Sequence, residues 1–383
     1  MLFRAYLSKP EGEALFQKFF VRNTPTILIA TSDGREIDRH KGYGGYPPEQ
    51  FKENIENAYK NENNFLNLTR AYEKDSTDLV VIAKLAERWR SYYIYEKMAE
   101  FAEKILKQPE KAKQLKLPVG RDEVETSIYE FAKYTTTFSD PEAVLHFATE
   151  FPNSALLNSV FRDYRSFLFN KDNQEKALTV FDELIKQFPE NSALINSYLR
   201  YCTRSKSNYD RGIELADQLY KAKAGKIDIE IASLYADLLI EQDDMKKVQE
   251  IPRQLIKDNP DKEIDIEMEF GFLYQQKKKY EEAFASFENI IKNYPDYYPA
   301  YYQVGRTAVF SGTNLDRGLQ CFKEYLQHEP DEDQPTWANA HYRMGMIYEH
   351  KGDKDSAQKE YETALKLDPA YEDAQKALEK LYK

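Results

Sequence analysis

The sequence predicts a mainly helical chain, an α-solenoid of about eight helix pairs preceded by a small α/β segment. Three observations point there. The stretch Ala338 to Pro369, ANAHYRMGMIYEHKGDKDSAQKEYETALKLDP, reads as two amphipathic helices joined by a tight turn. Pro260, Pro295 and Pro330 fall 35 residues apart, and each closes a similar unit upstream. Residues 1–60 break the helical period and alternate short β-rich runs with short helices.

Within Ala338 to Pro369 the small or apolar residues His341, Met344, Gly345 and Tyr348 recur in steps of three or four, as do Ala357, Tyr361 and Ala364. Each half therefore carries one stripe on one helix face. Gly345 and Ala357 are small where two backbones must approach. Gly352 sits where the chain reverses, and Pro369 stops the second helix. This pattern resembles the tetratricopeptide repeat, whose period is about 34 residues. One such pair cannot bury its apolar face alone, so the unit must recur.

From the start of the chain, Leu2–Leu7 reads as a strand and Glu11–Phe20 as a short helix. Val21–Ala30 is a β-rich run entered through Pro25. Ser32-Asp33-Gly34 signals a hairpin turn, Arg35–Lys41 the returning strand, and Gly42–Gly45 a loop. A helix begins at Pro47 and Pro48 and runs to about Tyr59. This order, carried by Val21, Thr24-Pro25-Thr26, Gly34 and Gly42, resembles the second half of a thioredoxin fold. The resemblance implies that Pro25 is cis and that Thr24 faces a substrate groove. The Cys-x-x-Cys half of that fold would precede Met1, and without it no thiolate is present for disulfide exchange. Two readings follow: a reading frame that extends upstream, or a remnant that caps the helical array.

Residues 61–76 read as a linker whose second half joins the helices, and residues 77–383 as the array. The first pair is Leu79–Trp89 with Tyr92–Leu106, and the second Glu123–Thr136 with Pro141–Glu150. The third carries Phe161, Tyr164 and Leu168, then Ala177, Phe181 and Leu184. The fourth runs from Ala193 to about Ala224, with Gly212 and Ala216 at its small sites. The fifth, Ile229–Pro260, has Pro252 inside its second helix and should be kinked or shortened there. Gly271 and Ala283 mark the sixth, and Gly305 and Gly318 the seventh. The eighth is followed by an amphipathic capping helix through Tyr371, Ala374, Leu378 and Leu381.

The formal net charge of −11 disfavours nucleic acid. No run approaches the roughly eighteen apolar residues of a membrane span. Cys202 and Cys321 lie in helical stretches and read as buried small side chains. The five histidines lack metal-ligand spacing. Asp331-Glu332-Asp333 and Lys277-Lys278-Lys279 read as solvated turns. No nucleophile–base arrangement or phosphate loop stands out, so neither catalysis nor a cofactor is expected.

What remains is surface. In stacked repeats the first helix of each pair lines a concave groove. By resemblance its side chains include Arg162, Met268, Phe272, Tyr302, Arg306, Tyr342 and Met346, types enriched where a peptide is gripped. Arg162 and Arg306 read as isolated, so a carboxylate-gripping set is not expected. The reading is a non-enzymatic scaffold for protein or peptide segments. The alternative is a truncated thioredoxin–repeat oxidoreductase or exported folding factor. As written the chain reads as cytoplasmic; an upstream start would make it periplasmic or exported.

Overall fold

A computed structural model describes residues 10–21, 26–41, 48–119, 124–223 and 226–381. The chain divides into two units, 1–197 and 198–383. Unit 1 begins with α1 (Pro10–Lys18), β1 (Thr26–Ala30), β2 (Glu36–Lys41) and α2 (Pro48–Lys60). It continues through α3 (Phe65–Lys74), α4 (Leu79–Ser91), α5 (Tyr95–Leu106), α6 (Pro109–Gln114), β3 (Lys116–Val119) and β4 (Val124–Ser127). Helices α7 (Ile128–Thr136), α8 (Pro141–Glu150), α9 (Leu157–Asp163), α10 (Arg165–Phe169) and α11 (Gln174–Gln187) follow, and the unit boundary falls within α12 (Ser192–Ser205). The expected strand Leu2–Leu7, and Thr24 and Pro25, lie outside the described residues.

β1 and β2 pair antiparallel, Ile27 opposite His40 and Ile29 opposite Asp38, with an irregularity at Ile29–Ala30. The turn between them is closed by Gly34, at φ +80°, whose N–H donates to the Thr31 carbonyl. β2 packs against α2 and α3 and carries three buried charged residues, Glu36, Asp38 and Arg39. Arg39 donates Nε and Nη2 to the two oxygens of Glu36 at 2.6 and 2.7 Å, and Nη2 also to the Phe19 carbonyl at 2.7 Å. Its guanidinium lies 4.3 Å from the centre of the Tyr92 ring. The Tyr92 hydroxyl donates to Asp38 at 2.5 Å, and Arg88 approaches the other Asp38 oxygen at 3.5 Å. Because Arg88 and Tyr92 belong to α4 and its C-cap, buried charge ties the first hairpin to the first helix pair. Burial raises the carboxyl of Glu36 in spite of Arg39. Burial, then the charge of Asp38, pushes the Tyr92 hydroxyl far up, so it stays a donor.

Two expectations for unit 1 are corrected. The stretch from Glu123 is not all helix. Its start is β4, paired with β3 from Lys116↔Ser127 to Val119↔Val124. The period-two burial of Leu117 and Val119, with β-branched Val124 and Thr126, carries that local switch. Pro109 opens the short helix α6 just after the first pair ends at Leu106. The Phe161–Tyr164–Leu168 stripe is fully buried as expected, but on two helices, α9 and α10, that meet at Tyr164. The Tyr164 hydroxyl reaches across to the Ala177 carbonyl at 2.5 Å.

Unit 2 is the regular part. It holds α13 (Tyr209–Ala222), α14 (Ile229–Glu241), α15 (Met245–Asp258), α16 (Glu263–Gln276), α17 (Tyr280–Asn293), α18 (Tyr298–Ser311) and α19 (Leu315–Tyr325). It ends with α20 (Trp337–His350), α21 (Lys354–Leu367) and the capping helix α22 (Glu372–Leu381). Consecutive helices pack from α13 to α22, and α14, α16, α18 and α20 also pack in series. The first helices of successive pairs thus form one layer. Within the last three pairs the same device recurs. A Cβ on Gly271 would lie 2.5 Å from the Phe287 ring, and one on Gly305 2.5 Å from the Phe322 ring. Gly345 faces Tyr361 in the same way. A glycine on the first helix thus receives an aromatic ring from the second, and both rings and helices pack at close range.

Pro252 does not shorten α15, which runs unbroken past it. Val248, Ile251, Pro252 and Leu255 bury as one stripe. That burial offsets the roughly 3 kcal/mol an internal proline costs. Lys277 is no merely solvated turn residue either: its ammonium pairs with Asp237 and Glu241 of α14.

Candidate functional site

The first-helix layer of unit 2 is joined by polar contacts that cross from one helix to the next. Gln275 on α16 donates to Thr307 Oγ1 at 2.7 Å and to the Gln303 carbonyl at 3.3 Å, both on α18. Arg343 on α20 donates Nε to the Tyr302 hydroxyl on α18 at 2.9 Å. Beside this seam, Phe272, Gln275, Gln276, Arg306 and Phe310 line a cavity of ≈ 120 Å³. Phe310 is 41% exposed, unusual for a phenyl ring. Two guanidiniums lie against it: Arg306 Cζ is 5.0 Å and Arg343 Cζ 5.5 Å from its ring centre.

Arg306 is half-buried. Its Nη1 donates weakly to Gln303 Oε1 at 3.3 Å, and its Nε is buried without a hydrogen-bond partner among the described residues. Burial, then the like charge of Arg343, lowers its pKa from the ordinary guanidinium value. Among the described residues no carboxylate is within ion-pair distance of Arg306 or Arg343. Arg317 nearby in sequence shows the contrast, with both oxygens of Glu288 at 2.7 and 2.8 Å.

The seven groove residues expected from the sequence part company here. Phe272 and Arg306 come together at the cavity. Met268 is half-buried on α16. Tyr302 is only 4% exposed, its ring packed against Phe322 and Tyr325 at 5.4 and 5.2 Å. It therefore positions Arg343 and is not itself a contact surface. Tyr342 packs on Tyr361 and Tyr371 at 5.7 and 5.1 Å. Met346 joins the same terminal cluster with Leu381 of α22. These two are half-buried against the terminal cluster. Arg162 belongs to unit 1, exposed on α9 and bonded to Ser159 at 3.0 Å. Arg306 is also not isolated: Arg343, 37 positions on, is brought to the same ring. Arg343, Phe310, Gln275 and Gln276 escaped the sequence reading. Two of them share a register that could have found them: Phe310 and Gln276 each lie five positions after a close-packed glycine, Gly305 and Gly271.

Residues 338–371 match the tetratricopeptide repeat family model, and residues 165–191 and 269–297 match a second tetratricopeptide repeat model. At these three segments the chain carries tetratricopeptide repeats. Among solved structures it is similar to a tetratricopeptide repeat protein from Parabacteroides merdae ATCC 43184, at 14% identity over 67% of this chain and 96% of that one, TM-score 0.38. It is similar to YrrB, described as a TPR protein with an unusual peptide-binding site, at 14% identity over 51% and 96%, TM-score 0.34. A third is MamA of AMB-1, at 20% identity over 46% and 98%, TM-score 0.31. No curated protein sequence matches the chain. The matched repeat at 338–371 comprises α20 and α21, so Arg343 sits in the first helix of a recognised repeat.

The cysteines lie away from this cavity. Both are free and fully buried, and burial pushes the Cys202 and Cys321 thiols up to about 12. Thiols held that high are almost wholly protonated at neutral pH and are poor nucleophiles.

Proposed function

We propose that this protein is a non-enzymatic interaction scaffold that grips a protein segment along the first-helix layer of its C-terminal repeats. The observation that carries this reading is the cavity beside α16 and α18, where an exposed phenyl ring, two arginines and glutamine amides converge. Aromatic and arginine side chains are the types that anchor peptide partners. The cavity's ≈ 120 Å³ is well below the roughly 300–1,000 Å³ of small-molecule sites. It suits one side chain of a longer segment. The test is to pan a random dodecapeptide library, displayed on phage, against the full chain and measure recovered binders against Phe310→Ala. Because Phe310 is 41% exposed, its loss should lower the melting temperature by only a few degrees (~2–4 °C) while weakening binding by about tenfold or more. Binders indifferent to Phe310→Ala would remove the reading.

Residues 1–60 would be a cap related to the second half of a thioredoxin fold, followed by a connecting stretch at 61–76 that carries α3 and by the array at 77–383. The order α1, β1, β2, α2 supports this. A longer oxidoreductase or folding factor, with Thr24 and Pro25 at its groove, is the second reading of that segment. It requires a Cys-x-x-Cys coding stretch in frame upstream of Met1, and an in-frame stop codon there would exclude it.

A further inference from the structure

We infer that the Arg306–Phe310–Arg343 cluster is selective for an acidic side chain, an aspartate or glutamate of an extended segment with an apolar neighbour. This rests on the scaffold reading above and names the chemistry its partner must carry.

The argument starts from charge. The molecule carries 65 acidic and 54 basic side chains, so carboxylates to neutralise an arginine are plentiful. In unit 2 Arg317 is clasped by Glu288, and Arg200 pairs with Glu230. Arg306 and Arg343 have no such partner among the described residues, yet they face one ring together. Two like charges brought together in a half-buried place repel one another and are costly to desolvate. An incoming carboxylate relieves both terms and supplies acceptors for the guanidinium nitrogens that face Phe310.

The surroundings fit the same ligand. Arg343 is held through its Nε by the Tyr302 hydroxyl, so its remaining guanidinium donors are placed before a partner arrives. Preorganisation of this kind lowers the ordering cost of binding. Phe272 and the exposed Phe310 supply an apolar wall for the neighbouring side chain. A cavity of this size lined on one side takes a single side chain, which favours an internal acid over a free chain terminus.

Two displayed dodecapeptide libraries separate the possibilities, one fused at its C-terminal end and so without a free carboxyl terminus, the other with one. Each is panned on the full chain. Asp and Glu should be enriched in the fused library, and a recovered binder made as an acetylated, amidated peptide should lose about tenfold or more in affinity when its acid becomes Gln. Arg306→Met and Arg343→Met, which keep the stems packed on Phe310, should each cause a similar loss. Arg306→Lys should restore part of it, and affinity should fall as salt rises. Binders lost with Phe310→Ala but indifferent to both Arg→Met changes would overturn the acid selectivity and leave the scaffold reading standing. Binders indifferent to Phe310→Ala, or no binders at all, would overturn both. Acid enrichment confined to the free-terminus library would assign the site to a terminal carboxylate and overturn the inference. So would self-association of the peptide-free chain that the same Arg→Met changes abolish, because it would assign the site to a second copy.

Discussion

Unit 1 and unit 2 solve the same packing problem with different chemistry. In unit 2 the pairs interlock by shape: Gly271 against Phe287, Gly305 against Phe322, Gly345 against Tyr361. Charge stays at the edges there, as in the Arg317–Glu288 pair with side chains about one-third exposed. In unit 1 the hairpin meets the helices through Arg39 and Glu36, whose side chains are 2% and 6% exposed. The difference teaches that repetition makes packing by shape sufficient within a pair. Three pairs of unit 2 use the same notch and ring, so shape fixes the geometry within a pair, while Gln275–Thr307 and Arg343–Tyr302 bonds join one pair to the next. Where β2 meets α3 and α4 no repeat dictates the fit, and directional bonds to charged groups set the register. Buried pairs of this kind hold a geometry more than they add stability.

The largest effect that would sharpen this comparison comes from breaking the charge in unit 1. Arg39→Met leaves Glu36 buried without its partner and should cost about 3–5 kcal/mol. Adding Glu36→Gln should recover much of that, since the orphaned charge is gone. The chain has two tryptophans, Trp89 in unit 1 and Trp337 in unit 2. Urea unfolding followed through Trp89 fluorescence in a Trp337→Phe background reports on unit 1. A cost below about 1 kcal/mol for Arg39→Met would mean that the hairpin is not held by this network.

Next in size is the notch in unit 2. Gly305→Ala places a methyl group against the Phe322 ring and should destabilise by about 1–3 kcal/mol, read through Trp337 in a Trp89→Phe background. Alanine is the better helix former, so any net stabilisation would show that the notch has room to spare.

The smallest effect is in acid. Burial raises the Asp217 carboxyl, but hydrogen bonds from Lys221, Lys247 and Tyr235 outweigh it and hold the group well below the usual carboxylate range. A depressed folded pKa means the stabilisation is complete above the unfolded value, roughly 3.9, and is lost as pH falls toward the folded value. Asp217→Asn should therefore cost about 1 kcal/mol at neutral pH and flatten the acid loss of unit 2 below about pH 4. Glu36 has the opposite sign. Its raised carboxyl takes up protons more readily folded than unfolded, so its contribution falls as pH rises from about 4.3. A single acid transition shared by both tryptophans would erase this contrast.

Much of unit 2 could be read directly. Gly271, Gly305, Gly345 and the closing prolines announce close approach and chain stops, which are local properties of backbone and Cβ. The eighth pair and the cap through Leu381 fall where the helical period puts them. Unit 1 was less legible, because Lys116–Val119 and Val124–Ser127 are too short for their period to stand out from a helix. At Pro252 the local penalty was visible and the compensating burial was not.

The sequence by itself determined that this chain repeats a helix pair and that each pair must be covered by the next, because periodic apolar faces and small residues act through near neighbours. Tertiary structure alone decided that Arg306 and Arg343, 37 positions apart, share one phenyl ring. It alone decided that the Tyr302 hydroxyl holds Arg343, and that Tyr342 and Met346 pack against the terminal cluster. Which side chains meet across helices depends on the rotation of one helix against another. That rotation is fixed by the packing of the whole stack and leaves no mark at any single position.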